Sequence, residues 1–223
     1  MKKYGIMMYG TNQQKGETKM NSTVKSKDAI RKLVGTAVLS ALVVVLQLFA
    51  SGVKIGALPF TFTFSLVPIV IGAVLYGCGS GAFLGGVFGL VVAIATVTGA
   101  DVGAHMMFEK LPVLTVALCM LKGIAAGLVA GLVFRALQKA GKETFGIILA
   151  SLVCPTVNTG IFIVALLAFY RDIAAAWMGD SFSNLLIYVF VGIVGINYLV
   201  ELAINTILAP IIIRVIGIIK KQN

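Results

Sequence analysis

The sequence predicts an all-α membrane protein of six transmembrane helices in a compact bundle, both termini cytoplasmic. Three observations predict it. First, the chain is 59% hydrophobic and only 12% charged, with a mean hydropathy of +1.04, whereas a soluble domain is roughly half apolar and a quarter charged. Second, its apolar runs reach about 20 residues, the length a helix needs to cross ~30 Å of hydrocarbon; membrane β-strands would instead alternate apolar and polar residues over about ten positions. Third, the basic residues are asymmetric. Residues 1–32 hold eight Lys/Arg, segment 135–144 three and the C-terminal end three, against Lys54, Lys110 and Arg171 on the opposite side. Lys and Arg are retained on the cytoplasmic side. The net charge of +10 therefore reports topology rather than nucleic-acid binding.

Residues 1–29 form a polar, basic cytoplasmic tail without an apolar run long enough for a signal peptide. Met20 opens a second candidate start, "MNSTVKSKDAIRKLV". The six-helix domain covers 30–218, and 219–223 is a short cytoplasmic tail. Span one is about 31–50. Span two, about 64–76, is short and contains Pro68, and "GCGSG" after it reads as a tight turn. Span three is about 81–98, span four 111–134, span five 145–170 and span six 185–213. Segments 51–63, 99–110 and 171–184 then read as outward loops and candidates for a lid.

Gly81, Gly85 and Gly89 in span three, and Gly123, Gly127 and Gly131 in span four, repeat at fours. Such spacing predicts close helix packing. It is not a phosphate loop, because the Lys-Ser/Thr pair is absent. Cys78, Cys119 and Cys154 show no CxxC pair and read as buried thiols, and the single histidine, His105, excludes a multi-histidine metal site.

The chemistry lies in polar residues inside the spans. Lys122, in "CMLKGIAAGLVAG", is about 11 residues from the outer end of span four, roughly 16 Å deep and near mid-bilayer. Asn197, Glu201 and Asn205 occupy i, i+4 and i+8 of span six, and each step of four turns only about 40°, so they share a face. Asn158 is mid-way along span five. A lone charge at the bilayer centre costs about 2.5–3.5 kcal/mol on insertion scales, so these groups face the bundle interior. Lys122 and Glu201 could form a buried ion pair buttressed by the asparagines, or the groups could bind a polar solute; a proton relay is a third possibility. The binding candidates are Lys122, Asn158, Asn197 and Glu201, followed by Lys54, Asp101, His105 and Trp177 from the outer loops. Asn205 is placed too near the cytoplasm to touch substrate.

Three stretches carry a resemblance: "RKLVGTAVLSALVVV" in span one, "FTFSLVPIVIGAVLYGCGSGAFLGGVFGLV" across spans two and three, and "LKGIAAGLVAGLVFRAL" in span four. In order and spacing they resemble the substrate-binding S component of energy-coupling factor (ECF) vitamin transporters, over about residues 30–218. The resemblance implies a six-helix bundle that binds a vitamin from outside, with the loop after span one as a lid. It also implies that Ala37 and Ala41 dock on a transmembrane coupling subunit joined to two cytoplasmic ATPases. This chain has no Walker motif, so no cofactor is expected in it and ATP is used by the partners.

The metal-importing branch resembles a different pattern, with histidine directly after the initiator Met; Lys2 or Asn21 stands there, so nickel and cobalt are not expected. The stretch 58–135 looks most similar to pantothenate-type members, and a mid-membrane lysine suits a carboxylate substrate. Glu201 keeps thiamine open as a cationic alternative, and Phe60, Phe62, Phe64 and Trp177 keep riboflavin open. An ion-coupled secondary transporter or channel is the rival of another class, although no inverted repeat supports it. An intramembrane enzyme is disfavoured: GxSG, paired aspartates and HExxH are all missing.

Overall fold

The computed structural model describes residues 27–50, 65–178 and 184–221. Every regular element among them is helical. These are α1 (Lys27–Ala50), α2 (Leu66–Tyr76), α3 (Cys78–Val97), α4 (Val102–Lys110), α5 (Pro112–Lys139), α6 (Glu143–Phe169) and α7 (Arg171–Met178). The last run begins with the short α8 (Leu185–Ile187), passes through a π-helical segment (Tyr188–Ile193) and continues as α9 (Val194–Lys221). Lys54, Phe60, Phe62 and Phe64 lie outside the described residues. The chain divides into two compact units, residues 1–38 and 39–223; the bundle is the second.

Four helices, α1, α3, α5 and α6, are long and apolar enough to cross a membrane. Neither the predicted second span nor the predicted sixth is among them; in the sixth, the described apolar stretch is Tyr198–Leu208. At about 1.5 Å per residue, the 11 residues of α2 reach only about 16 Å. Gly77 stops the helix with φ 92°, and α3 starts at the next residue. Leu66, Ile69, Val70 and Ala73 are all buried, so α2 is a core plug wrapped by other helices rather than a lipid-facing rod. The remaining helices carry their large apolar side chains outward, among them Phe83, Leu90, Val113, Leu121 and Val164. In water that surface would be a liability; in a bilayer it is the solvated one.

The core is built on close backbone approach. α3 packs on α5 along the two glycine stripes. A Cβ added at Gly81 would lie 2.5 Å from the Gly127 carbonyl oxygen, and one at Gly89 would lie 2.6 Å from that of Cys119. Gly85 and Gly123 face each other in the same way. Small residues supply association here because lipid tails provide no hydrophobic drive between helices. α6 packs beside α5, and α9 beside α6. The three cysteines are free thiols, Cys119 and Cys154 buried and Cys78 half-buried.

Two predicted loops are corrected. Segment 99–110 contains α4, whose N-cap Asp101 accepts the Ala104 N–H at 3.0 Å, after Gly99 turns the chain at φ 78°. Segment 171–184 contains α7, which buries Ile173 and Ala174. Both helices are too short to span, so a search for apolar runs passes over them. The cap at Asp101 was the missed sequence signal.

Candidate functional site

At the end of the bundle where α3 stops and α5 starts, α4 and α7 lie as a cap. The cap is held by polar bonds. The Thr96 carbonyl accepts from Nδ1 of His105 at 2.8 Å, and Nε2 of the same ring is 3.7 Å from Glu109. Lys110 donates to the Phe169 carbonyl at 3.3 Å and pairs with Asp172, tying α4 to α7. The Trp177 indole N–H points to the Met106 sulfur at 3.2 Å. Beneath the cap, the Thr115 and Tyr170 hydroxyls are bonded at 2.8 Å and fully buried. Asp101, His105 and Trp177 thus come together at this end, each with a structural partner. That Thr115–Tyr170 pair was not anticipated, because two neutral hydroxyls carry no charge signal.

The Lys110 ammonium bonded to Asp172 holds that carboxyl below its ordinary value. A depressed folded-state value means the bond stabilises above the ordinary carboxylate range and is lost as pH falls through the folded value. The melting temperature of Asp172→Asn should therefore sit slightly below that of the native chain at pH 7 and converge with it below about pH 4. Both side chains are largely exposed, so the gap should be small. A gap unchanged from pH 7 to pH 3 would refute the assignment.

The mid-membrane polar layer lies deeper. Cys154 and Asn158 flank the middle of α6, and Glu201 and Asn205 flank the middle of residues 185–221. Cys154, Asn158 and Phe162 form one stripe of α6 at spacings of four. Lys122 comes to that stripe from α5, its Nζ 5.6 Å from the centre of the Phe162 ring, within range of a cation–π contact. Glu201 lies on α9, which packs beside α6. Among the described residues no ion pair joins Lys122 to Glu201. The buried pair, one of the alternatives the sequence leaves open, is not seen among the described residues, and the ammonium stands over an aromatic face. Phe162 could have been found in the sequence as the residue one turn beyond Asn158.

Glu201 is 2% exposed, Asn158 5% and Asn205 0%. The Asn205 side-chain N–H donates to the Glu201 carbonyl at 2.9 Å. The Asn158 and Asn205 side-chain oxygens are buried with no hydrogen-bond partner among the described residues. Asn197 lies on α9, but its side chain is outside the described residues, as is Lys54. The polar groups inside the helices are therefore a half-buried cation on an aromatic face, a buried carboxyl and two buried amide acceptors, spread over several turns of α5, α6 and α9. Such a layer can bind and orient a small polar solute. Among the described residues no cluster of three metal-ligating side chains occurs.

The family model for the ECF transporter, substrate-specific component, matches residues 31–213. The chain belongs to that family. No curated protein and no solved structure matches it. An S component is the membrane-embedded substrate-binding subunit of an ECF importer, not an enzyme, and works with membrane coupling and ATPase subunits.

Proposed function

We propose that this S component captures a carboxylate-bearing vitamin, best matched by pantothenate, from outside a bacterial cell and passes it inward across the plasma membrane. The observation that supports this is Lys122. It stands near mid-membrane over Phe162, and none of the described carboxylates lies within ion-pair distance. A cation in that position gains most from an anionic acceptor brought in by the ligand. On this reading Asn158, Asn197 and Glu201 also take part in binding, and Asp101, His105 and Trp177 of the cap, with Lys54, are the further candidates. We read the bundle as crossing the membrane six times with both termini cytoplasmic, the short buried α2 and the run through α9 each counted as a crossing, in keeping with the basic residues of the tail, of segment 135–144 and of the C-terminal end. The α1 face bearing Ala37 and Ala41 meets the coupling subunit, and two separate ATPases hydrolyse ATP.

The test is mass spectrometry of small molecules released from the purified, detergent-solubilised protein, with pantothenate expected near one per chain. Thiamine or riboflavin in its place would change the substrate and keep the class. An empty protein that gains no thermal stability from any vitamin would favour an ion-coupled transporter instead.

A further inference from the structure

Basic side chains end the lipid-facing stripe of α5. Leu121, Leu128, Leu132, Arg135 and Lys139 are all exposed. At 100° per residue they fall within about 60° of one another, so one line of side chains runs down the helix. Gly123, Gly127 and Gly131 turn another side of α5 to α3, which leaves this line to the lipid. Arg135 is about 23 residues, or roughly 35 Å, along the helix from Pro112. The hydrocarbon is ~30 Å thick, so Arg135 and Lys139 emerge at headgroup depth. The turn after α5 adds a third cation and fixes it. Gly141 reverses the chain at φ 74°, its N–H bonded to the Gln138 carbonyl at 3.0 Å and the Lys142 N–H bonded to the Leu137 carbonyl at 2.9 Å. Those two bonds close a Schellman turn. The first turn of α6 is held against α5, because a Cβ on Gly146 would lie 3.1 Å from the Leu137 Cβ. Phe145, beside it, is 54% exposed and continues the apolar surface. Among the described residues none of Arg135, Lys139 and Lys142 is in an ion pair, and Glu143, the acidic residue of this turn, is half-buried.

We infer that the α5–α6 hairpin holds the headgroup of one anionic phospholipid, its phosphate against Arg135, Lys139 and Lys142 and an acyl chain along the Leu128–Leu132 stripe. Retention on the cytoplasmic side needs only basic residues somewhere in the segment. Here two of the three lie on the lipid-facing line itself, and the third is fixed beside them by the turn. An anionic headgroup therefore meets several cations at once while its chain meets exposed leucines. Three cations against Glu143 leave a local excess of positive charge, and the Arg135 guanidinium matches a phosphate with two parallel N–H donors. Neither Lys122 nor the cap takes part, so this lipid site stands or falls apart from the substrate reading.

The full chain, purified in detergent, is titrated with phosphatidylglycerol or phosphatidylcholine of identical acyl chains, and bound lipid is counted by native mass spectrometry. At about fivefold per cation, phosphatidylglycerol should bind at least roughly tenfold more tightly, and the preference should shrink as salt rises. The hairpin variant, Arg135→Gln with Lys139→Gln and Lys142→Gln, should bring the two lipids within about twofold of each other. Lys27→Gln with Lys32→Gln and Arg214→Gln removes as much charge elsewhere and should keep the preference. Glutamine is a good helix former and the replaced side chains are exposed, so the hairpin variant should melt with the native chain in phosphatidylcholine micelles. If it unfolds, Arg135→Gln and Lys139→Gln singly carry the test, each expected to weaken phosphatidylglycerol severalfold and phosphatidylcholine not at all. Equal binding of the two lipids by the native chain would overturn the inference, as would a native preference in the hairpin variant. Equal losses in the two triple variants would assign the attraction to overall charge and overturn it too. Loss of ATP-coupled uptake by the hairpin variant, with no lipid preference in the native chain, would assign the patch to a protein partner instead.

Discussion

Ala37→Trp combined with Ala41→Trp should leave substrate binding by the purified protein unchanged and abolish ATP-coupled uptake in cells. Ala37 and Ala41 are four residues apart on α1, and both are exposed. They lie on one helix face. Around them the exposed residues are large: Leu33, Val34, Val38, Leu42 and Val45. If this face docks, two methyl groups among larger side chains would let another helix approach the backbone, as small residues do in membrane interfaces, and an indole at each position would block that approach. Because neither alanine is packed in the core, binding and melting temperature should not move. The check is a paired measurement: calorimetric affinity of the purified variant, and labelled-vitamin accumulation in cells that also supply the coupling subunit and ATPases. Native uptake by the double variant would refute docking at this face. Lost binding would show that the face belongs to the fold and not to an interface.

Lys122→Met should cost about 2–3 kcal/mol of binding, roughly 30- to 160-fold in Kd, while leaving the protein as stable as before or more so. Charge-assisted hydrogen bonds carry that magnitude when buried, and an ion at the membrane centre is itself expensive. Methionine keeps the apolar stem against Phe162 and removes only the charge. Lys122→Ala should lose affinity by at least as much and some packing besides. Lys122→Arg keeps the charge and should recover part of the affinity. If the Met variant bound pantothenate with native affinity, the ammonium would have no part in recognition. If it instead unfolded, Lys122 would be satisfying another buried group in the bundle.

The legible and the hidden parts of this protein separate along physical lines. The glycine stripes of α3 and α5 were readable because spacing at fours on one helix is a property of that helix alone, and the structure brings the two stripes face to face. The Asp101 cap was readable in principle, since a capping side chain acts within three residues of itself. α4 and α7 were passed over because both are short and neither announces itself by a long apolar run. Lys122 was legible as a charge in an apolar run, but its neighbour was not. Glu201 looked like its partner on charge alone, whereas Phe162 stands under it. Which residue meets a lysine depends on the rotation and depth of two other helices, and no spacing along one helix encodes that.

By itself, then, the sequence determined the solvent of this protein, its helical class and its family-bearing stretches. Hydrophobicity and local periodicity add up along the chain and survive without knowledge of packing. Only the tertiary structure decided that α2 is a buried plug, that α4 and α7 form a cap cross-linked through Lys110 and Asp172, and that Lys122 stands over Phe162. Those outcomes depend on which faces of distant helices meet, and at mid-membrane a meeting of one turn more or less exchanges an ion pair for a cation on an aromatic ring.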